Sequence, residues 1–373
     1  MNDKMKEIIL LGAGASVDAG VPAAYKMTEK LIEQLGEHSK NGYIVRFVVG
    51  GLLMQKGVKG ENLFDGVNVE DVFNAIELLA DRENLEAAPF IGSWHRLVEE
   101  LDLIYPSLPS SRSTEVRYTM NSLPTKRQQL RSSNESRPGD GKSYKEVNKA
   151  MIRNLTEMVW VKDPKKVEYL LPILQMKMQS NLTIATLNYD NTIELAVKSL
   201  GKAVQTGIEE WSNSGSFPKF DNGIGLLKLH GSIDWRFWPS GIDSSRPLSQ
   251  DHIRVTPLDE MKANGSLPPA VIFGHRNKLT AKGPFLDLLR AFEETLKEAD
   301  RLTIIGYSFR DEHINEQITK WINTSKGKIR IINKDSFSST DIKFARSLIG
   351  IKERVDVFNM GAKDGIPKCF PTE

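Results

Sequence analysis

The sequence predicts an α/β fold in which a mostly parallel sheet is covered by helices on both faces. Short apolar segments rich in β-branched residues recur from residue 181 onward, and helical patterns lie between several of them. Another apolar segment opens the chain and leads into a glycine-rich turn. Sheets built this way bind ligands beyond the carboxyl ends of their strands. Residues that follow each predicted strand are therefore the first candidates for a site.

The period of the apolar residues predicts each element in order. A strand at 7–12 precedes an amphipathic helix at 24–35. Residues 36–66 are rich in glycine and show no clear pattern, whereas 68–84 is predicted as a helix with Asn68 as its N-cap. The remaining helices are predicted at 93–104, 144–160, 191–200, 285–299 and 312–322, and the remaining strands at 182–187, 224–230, 270–274, 301–308, 328–334 and 354–360.

These elements predict one domain over 1–373, with a core at 1–35 and 181–373 and a mostly helical insertion at 36–180. Within the insertion, residues 106–143 are rich in Ser, Arg and Pro and poor in large aliphatic residues, which predicts an exposed, irregular arm. Lys and Arg outnumber Asp and Glu across 112–153, as in a solvated loop or a docking surface for a partner or polyanion. We hypothesise that the arm helps control assembly and activity. Deleting 112–140 behind a Gly/Ser linker, then measuring oligomeric size, partner binding and turnover, tests this.

Composition limits the classes of function. With 40% hydrophobic residues, 26% charged residues and a net charge of +2, the chain is typical of a globular protein without a strong overall field. No apolar run reaches the roughly 18–20 residues that span a bilayer, and the start lacks a signal-peptide pattern. The single cysteine, Cys369, excludes an internal disulfide and a cysteine-rich zinc module. We expect a cytoplasmic protein without membrane contact or bound metal. Elemental analysis showing stoichiometric zinc would contradict this.

A glycine-rich turn follows the first strand. Gly12, Gly14 and Ser16 lie in "LLGAGASVDAG", where glycines let backbone N–H groups approach a phosphate. The spacing Gly-x-Gly-x5-Gly differs from the usual dinucleotide fingerprint. The alternative is a tight structural turn that binds no ligand.

Polar residues end four further predicted strands. Asn188 and Asp190 follow the strand at 182–187, where the alternative role is a helix cap by Asp190 or its neighbour. Gly306 and Ser308 follow the strand that begins at 301, and Asn333 ends the strand that begins at 328. The histidine in "LLKLHGSIDW", His230, is either packed in the core or a catalytic base. Five such strand ends in one chain predict a cleft.

Taken in order, these motifs resemble the sirtuin family, which has a Rossmann-like fold and uses NAD. "GAGAS" with "AGVP", "TLNYD", "KLHGS", "PPAVIFG", "GYS" and "IIN" are similar to the family's successive motifs, and they span residues 12–333. Each motif is short, and the ordered set is specific.

The resemblance implies a role for each matching position. His230 is expected to be the general base beside the ribose hydroxyls, and Asn188 to orient the nicotinamide ribose and a water. Asp190 is expected to face the nicotinamide carboxamide. The diphosphate is expected to lie on Gly12, Ala13, Gly14, Ala15 and Ser16, and the adenosine half along Gly306, Ser308 and Asn333.

Departures from the family narrow the expected activity. Its deacylases carry a four-cysteine zinc module, which this chain cannot form. The family's aromatic lid after "AGVP" is replaced by "AAYK", where Tyr25 is the only aromatic residue. The chain therefore resembles the divergent sirtuin-like domains of bacterial antiphage systems, many of which consume NAD, some beside a hexameric HerA-type ATPase.

The leading hypothesis is an NAD+ glycohydrolase that takes NAD as its substrate, forms a homo-oligomer and works with such an ATPase. The alternatives are an NAD-dependent protein deacylase and a non-catalytic NAD- or ADP-ribose-binding subunit of a partner ATPase. A nucleic-acid-binding subunit that uses the basic stretch at 112–153 is a third alternative, and its sign would be steeply salt-dependent DNA binding.

Overall fold

The computed structural model describes residues 5–88, 91, 94–103, 141–175, 181–220, 222–238, 252–257, 260, 269–272, 283–334 and 343–371. The predicted arm at 106–143 lies outside these residues, apart from 141–143 at the start of a helix. The chain forms two compact units. The first comprises Met1–Lys30, Asn68–Asp71 and Ile152–Glu373, and the second comprises Leu31–Val67 and Val72–Met151.

Ten strands occur in the described residues, all of them in the first unit. They are β1 (Glu7–Leu11), β2 (Asn181–Thr186), β3 (Val204–Gln205), β4 (Gly223–Lys228), β5 (Gly231–Trp238), β6 (His252–Val255), β7 (Pro269–Val271), β8 (Arg301–Ile305), β9 (Lys328–Asn333) and β10 (Val355–Asn359). Seven of them form a sheet in the order β10-β9-β8-β1-β2-β4-β3, in which every pair is parallel.

Beside short 3-10 segments such as Pro164–Leu170, twelve helices have bounds within the described residues. They are α1 (Ala24–Leu35), α2 (Lys40–Val58), α3 (Val69–Ala80), α4 (Arg96–Leu103), α5 (Lys142–Val159), α6 (Leu171–Leu174), α7 (Thr192–Ser199), α8 (Ile208–Ser214), α9 (Phe285–Lys297), α10 (Glu312–Thr324), α11 (Lys343–Ile349) and α12 (Ala362–Cys369). Within the described part of the chain, none of them combines the length and apolar character needed to cross a membrane.

The parallel sheet confirms the predicted fold class. Its central strand, β1, is buried at all five positions, as expected for a strand with helices on both faces. Ile8 and Leu10 on one side of β1 join a core that includes Leu288 from α9 and Ile318 from α10. Because all seven strands are parallel, their carboxyl ends lie at one edge of the sheet, where this architecture binds ligands.

A second, three-stranded sheet was not predicted. Its order is β6-β5-β7 and its pairs are antiparallel, so the predicted strand at 270–274 belongs to this sheet through β7. Gly231 starts β5 with a φ of 81°, and a Cβ there would lie 2.0 Å from the Ala270 carbonyl oxygen. Glycine is therefore required where the chain leaves His230 and enters the second sheet.

The segment from Ile152 to Gln175 belongs to the first unit, although the sequence analysis assigned it to the insertion. Hydrogen bonds explain the difference. The Asn191 side chain accepts from the Val161 N–H at 2.8 Å and donates to the Val161 carbonyl at 2.9 Å. The Tyr169 hydroxyl donates to the Ala15 carbonyl. This segment is thus bonded to the turns that follow β1 and β2.

The second unit is helical in its described residues. A 19-residue helix, α2, occupies much of the segment without a clear pattern, and Ser39 caps it by accepting from the Gly42 N–H at 2.9 Å. Inside the unit, the Arg82 guanidinium lies 2.7 Å from the Asp102 carboxylate, and both side chains are buried. Asp102 also accepts from the Gly141 N–H at 3.0 Å.

Candidate functional site

A cavity of about 480 Å3 lies at the carboxyl edge of the parallel sheet. Residues that follow β1, β2, β4, β8 and β9 line it, together with the start of α1 and the residues before α12. The predicted site residues among its lining are Gly12, Ala13, Gly14, Asn188, Asp190, His230, Gly306, Ser308 and Asn333. Ala15 and Ser16 are buried and are not among the described lining residues. The five strand ends thus lie around one cavity of a size typical for a small-molecule ligand.

The turn after β1 packs backbone to backbone against the turn after β8. The Gly14 N–H donates to the Gly306 carbonyl at 2.8 Å, and the Gly12 N–H donates to the Ile305 carbonyl at 2.9 Å. A Cβ on Gly12 would lie 2.6 Å from the Tyr307 Cα, and a Cβ on Gly14 would lie 2.8 Å from the Gly306 Cα. Both glycines are therefore required for close approach of the two turns, whatever the ligand.

This packing leaves one backbone donor for a phosphate among the five predicted positions. The Ala15 N–H donates to the Gly12 carbonyl at 2.9 Å, and the Ser16 N–H donates to the Ala13 carbonyl at 3.2 Å. The Ala13 N–H has no partner among the described residues, and Ala13 is exposed in the cavity lining. Ala13 is thus the donor in this turn that can reach an anionic ligand.

Asn188 is fixed by two hydrogen bonds from its amide nitrogen. Nδ2 donates to the Gly12 carbonyl and to Ser16 Oγ, each at 2.9 Å. A carbonyl oxygen can only accept, so the amide nitrogen must face Gly12. Oδ1 then has no hydrogen-bond partner in the described part of the chain, and it is the atom left to accept a hydrogen bond from a ligand or water.

A chain of hydroxyl groups connects Asn188 to Asp190. Asp190 Oδ1 accepts from the Thr192 N–H at 3.0 Å and from the Thr192 hydroxyl at 2.7 Å. Because the Thr192 hydroxyl gives its one proton to the carboxylate, Ser16 Oγ, 3.4 Å away, must donate to it. The buried Ser16 hydroxyl therefore links the Asn188 amide, through Thr192, to the Asp190 carboxylate.

A buried lysine holds the turn after β2. Lys228 Nζ donates to the Asp190 carbonyl oxygen and to Glu194 Oε1, each at 2.6 Å. Burial disfavours the Lys228 charge, but the neighbouring Glu194 and Asp234 carboxylates raise the pKa of the ammonium above its ordinary value. The ammonium group stays charged and anchors this turn. The sequence analysis missed Lys228, because an isolated lysine in a strand has no local sign of burial.

His230 contacts a carboxylate across the cavity. Its Nε2 lies 2.9 Å from Asp311 Oδ2, and both residues are buried. Asp311 also lines the cavity, and the sequence analysis did not name it as a site residue. The sequence did carry one sign of its position, since an acidic residue directly before a predicted helix is a candidate N-cap.

The turns after β8 and β9 supply further polar groups. Asn333 Nδ2 donates to the Tyr307 carbonyl at 3.0 Å. Ser308 is exposed in the cavity lining. The Arg310 guanidinium donates to the Tyr25 hydroxyl and lies 5.4 Å from the centre of the Tyr25 ring. The only aromatic residue in "AAYK" thus lines the cavity and contacts a cation.

Metal binding has no support within the described residues, where no group of three or more His, Cys, Asp or Glu side chains could hold an ion. The expected absence of a metal stays a prediction.

Comparisons with known proteins agree with the motifs in part. A family model described as "SIR2-like domain" matches residues 182–344, which is less than half of the chain. That stretch contains the turns after β2, β4, β8 and β9. No curated protein matches the chain. Residues 182–344 are therefore similar to SIR2-like domains, and the activity is a separate question.

Solved sirtuin structures are similar to this chain at low identity. Sir2Tm bound to a propionylated peptide is 11% identical, with 98% of this chain and 92% of that chain covered and a TM-score of 0.39. A structure described as the structural basis of sirtuin substrate affinity is 12% identical, with 98% and 93% covered and a TM-score of 0.43. One described as the structural basis for the mechanism and regulation of Sir2 enzymes is 13% identical, with 98% and 92% covered and a TM-score of 0.42.

Proposed function

We propose that this chain is an NAD+ glycohydrolase, which cleaves NAD+ to nicotinamide and ADP-ribose. One observation carries the proposal. Asn188, whose amide oxygen has no hydrogen-bond partner among the described residues, and His230, paired with Asp311, line the same cavity as the glycine-rich turn after β1. A hydrogen-bond acceptor, a base and an anion-binding turn are the groups that cleavage of a nucleotide's glycosidic bond requires.

The reaction breaks the bond between the ribose C1′ and the nicotinamide nitrogen. The bonding electrons stay on that nitrogen, so a cationic pyridinium leaves as neutral nicotinamide. A water oxygen forms the new bond to C1′, and the water proton passes to His230, either directly or through a ribose hydroxyl. The transition state resembles an oxocarbenium ion, which the cavity stabilises by its fixed polar groups.

Each remaining residue has a role in this proposal. Asn188 Oδ1 accepts a hydrogen bond from the attacking water or from a ribose hydroxyl. Asp190 Oδ2 accepts from the nicotinamide carboxamide, because Oδ1 is already bonded to Thr192. The diphosphate lies over the turn that contains the Ala13 N–H. The adenosine half lies along Gly306, Ser308 and Asn333, as the family resemblance implies.

The biological setting is part of the same proposal. The resemblance to divergent bacterial sirtuin-like domains supports NAD+ depletion in antiphage defence, in the cytoplasm, by a homo-oligomer that works with a HerA-type ATPase. The exposed basic character predicted at 106–143 supports a role for that arm in assembly.

The test is incubation with NAD+, with and without a candidate HerA-type ATPase, followed by chromatographic identification of products. We expect nicotinamide and free ADP-ribose. An O-acyl ADP-ribose formed only with an acyl-lysine peptide would identify a deacylase instead. Tight NAD+ binding without turnover, at every partner dose and oligomeric state, would identify a binding subunit.

A variant pair assigns the turnover to this cavity. Asn188→Ala removes the free amide oxygen and should abolish most cleavage while the protein stays folded. Asn84→Ala is the matched control, because Asn84 is exposed, its side chain bonds to Asp81 alone among the described residues, and it is not among the cavity's lining residues. Wild-type turnover in folded Asn188→Ala would remove Asn188 from the mechanism.

A further inference from the structure

We propose that Asp311 is the positioning residue for His230: it holds the proton on Nε2 and leaves Nδ1 as the atom that accepts a proton in the cavity. The kinetic part of this inference rests on the proposed NAD+ cleavage. The tautomer itself is a property of the folded chain and can be measured without turnover.

The argument starts from the contact between the two side chains. Asp311 Oδ2 lies 2.9 Å from His230 Nε2, and an ionised carboxylate can only accept hydrogen bonds. Nε2 must therefore carry a proton, and in a neutral imidazole the lone pair then lies on Nδ1. Nδ1 has no hydrogen-bond partner among the described residues, and His230 lines the cavity.

The other carboxylate oxygen of Asp311 is held by the start of α10. Oδ1 accepts from the His313 N–H at 3.1 Å and from the Ile314 N–H at 3.4 Å, so Asp311 is the N-cap of that helix. Fixing Oδ1 on the helix orients Oδ2, because the carboxylate is planar and its two oxygens cannot turn independently. The helix therefore aims Oδ2 at His230.

The backbone of Asp311 is also fixed. Its N–H donates to the Tyr307 hydroxyl at 3.1 Å, and that hydroxyl lies 3.0 Å from both the Asp311 carbonyl and Asn315 Oδ1. Burial raises the pKa of Tyr307, so the hydroxyl keeps its proton. Asn315 Nδ2 in turn donates to the Phe309 carbonyl at 2.8 Å. These hydrogen bonds hold the backbone of the turn between β8 and α10 in one conformation.

One residue in the turn has an unfavourable backbone conformation. Phe309 has a φ of 58°, the only positive φ of a non-glycine residue among the described residues. Such a conformation is unfavourable for a residue with a Cβ and persists only where the surroundings enforce it. The buried Phe309 ring packs 4.8 Å from the Tyr307 ring, centre to centre, which fixes the strained residue. The turn is thus constrained in the geometry that brings the carboxylate to His230.

The proton path follows from the tautomer. As the water oxygen bonds to C1′, its proton moves to Nδ1, directly or through a ribose hydroxyl, and the ring becomes an imidazolium. The Nε2–H remains bonded to Asp311, whose negative charge stabilises the imidazolium. Asp311 itself gains no proton and does not touch the reacting atoms.

The decisive variant is Asp311→Asn. Its amide oxygen can still cap α10, so its amide nitrogen faces His230 Nε2. Because that nitrogen donates, Nε2 must accept, and the proton moves to Nδ1. We expect kcat for NAD+ cleavage to fall about 10²- to 10⁴-fold, the contribution of a general base, with KM nearly unchanged. Asp163→Asn is the matched control, because exposed Asp163 also caps a helical segment but lies outside the cavity lining.

A double variant separates positioning from a purely structural role. If Asp311 acts through His230, Asp311→Asn should cause no further loss when added to His230→Ala. An equal loss in both backgrounds would show that Asp311 only supports the fold and would overturn the inference. Wild-type kcat in Asp311→Asn would also overturn it.

Long-range ¹H–¹⁵N spectra of the imidazoles give an independent measurement, recorded where the ring is neutral. The chain has six histidines, and the signals lost in His230→Ala identify His230. We expect protonated Nε2 in the wild-type protein and protonated Nδ1 in Asp311→Asn. A wild-type protein with this spectrum and no NAD+ turnover would contradict the proposed function and leave the positioning intact. Protonated Nδ1 in the wild-type protein would overturn the positioning.

Discussion

The turns after β2 and β8 each bring a carboxylate to the cavity, and they hold it in the same way with one oxygen. Asp190 Oδ1 accepts from the backbone and hydroxyl of Thr192, at the start of α7. Asp311 Oδ1 accepts from two backbone N–H groups at the start of α10. The second oxygens differ. Asp311 Oδ2 is bonded to His230, whereas Asp190 Oδ2 has no hydrogen-bond partner in the described part of the chain.

The difference teaches that one local motif serves two purposes. In both turns an aspartate carboxylate accepts from the backbone N–H two residues later, so one oxygen is occupied and the planar carboxylate orients the second. In the turn after β8 the second oxygen contacts His230, and in the turn after β2 it has no hydrogen-bond partner among the described residues, which leaves it available for the proposed ligand. The strand order shows which turns the contact between Asp311 and His230 joins. β8 and β4 are separated by β1 and β2, on the order of 14 Å apart at usual strand spacing, so the contact between Asp311 and His230 joins turns that follow two non-adjacent strands.

The largest effect is expected from substituting His230, which contacts Asp311 and has no hydrogen bond to Asp190 in the described part of the chain. His230→Ala should lower kcat by about 10²–10⁴-fold, because it removes the proposed base, and should leave the helix cap at Asp311 intact. Steady-state NAD+ cleavage and a thermal unfolding curve measure the two effects. Undiminished turnover in the folded variant would remove His230, and with it the contact to Asp311, from the proposed mechanism.

The second test removes Lys228, the buried lysine that holds the turn after β2. Lys228→Met should destabilise the fold by about 3–5 kcal/mol at pH 7, because it leaves Glu194 without its cation and releases the Asp190 carbonyl. The raised Lys228 pKa means that the lysine's stabilisation is fully present below its ordinary pKa of 10.5 and is lost only as pH rises further. Lys198→Met, at an exposed position on the same helix as Glu194, is the control and should change stability little. An equal effect of both substitutions would show that Lys228 is not an anchor.

The third test exchanges the carboxylate that has a free oxygen. Asp190→Asn keeps an oxygen to accept from Thr192, so the fold should be retained. It removes the proposed charged acceptor for the nicotinamide carboxamide, and such a hydrogen bond is worth about 1.5–3 kcal/mol, or roughly 10- to 100-fold in kcat/KM. The loss should include KM and weaker inhibition by nicotinamide, unlike the kcat loss expected for Asp311→Asn. The same kinetic pattern in both variants would remove the distinction.

Much of the scaffold was predictable from local pattern. The strands that supply the site are short apolar runs, and the polar residues that follow them mark the carboxyl edge, so Asn188, Asp190, His230 and Asn333 could be named from sequence. All four line the cavity. Their chemical roles remain predictions.

The features that sequence missed depend on contacts far along the chain. Asp311 and His230 are 81 positions apart, and Lys228 is 34 positions from Glu194. Neither pair follows from a periodic pattern. The helix α2 was missed for a local reason, because four glycines interrupt its apolar pattern. The antiparallel sheet was missed because a buried strand does not show the direction of its neighbour.

The smallest expected effect concerns the Ser16 and Thr192 hydroxyls, which connect the Asn188 amide to the Asp190 carboxylate. Thr192→Val removes the hydroxyl that donates to Asp190 and accepts from Ser16, yet keeps the shape of the side chain. One lost hydrogen bond should lower the free energy of unfolding by about 1 kcal/mol. Asp190 is still held by the Thr192 N–H, and Asn188 still donates to Gly12, so kcat/KM should fall only a few-fold. Thr192→Ser retains the hydroxyl and is the control. If Thr192→Val instead lowers turnover as strongly as Asn188→Ala, the hydroxyl chain, and not the Gly12 carbonyl, sets the orientation of the Asn188 amide.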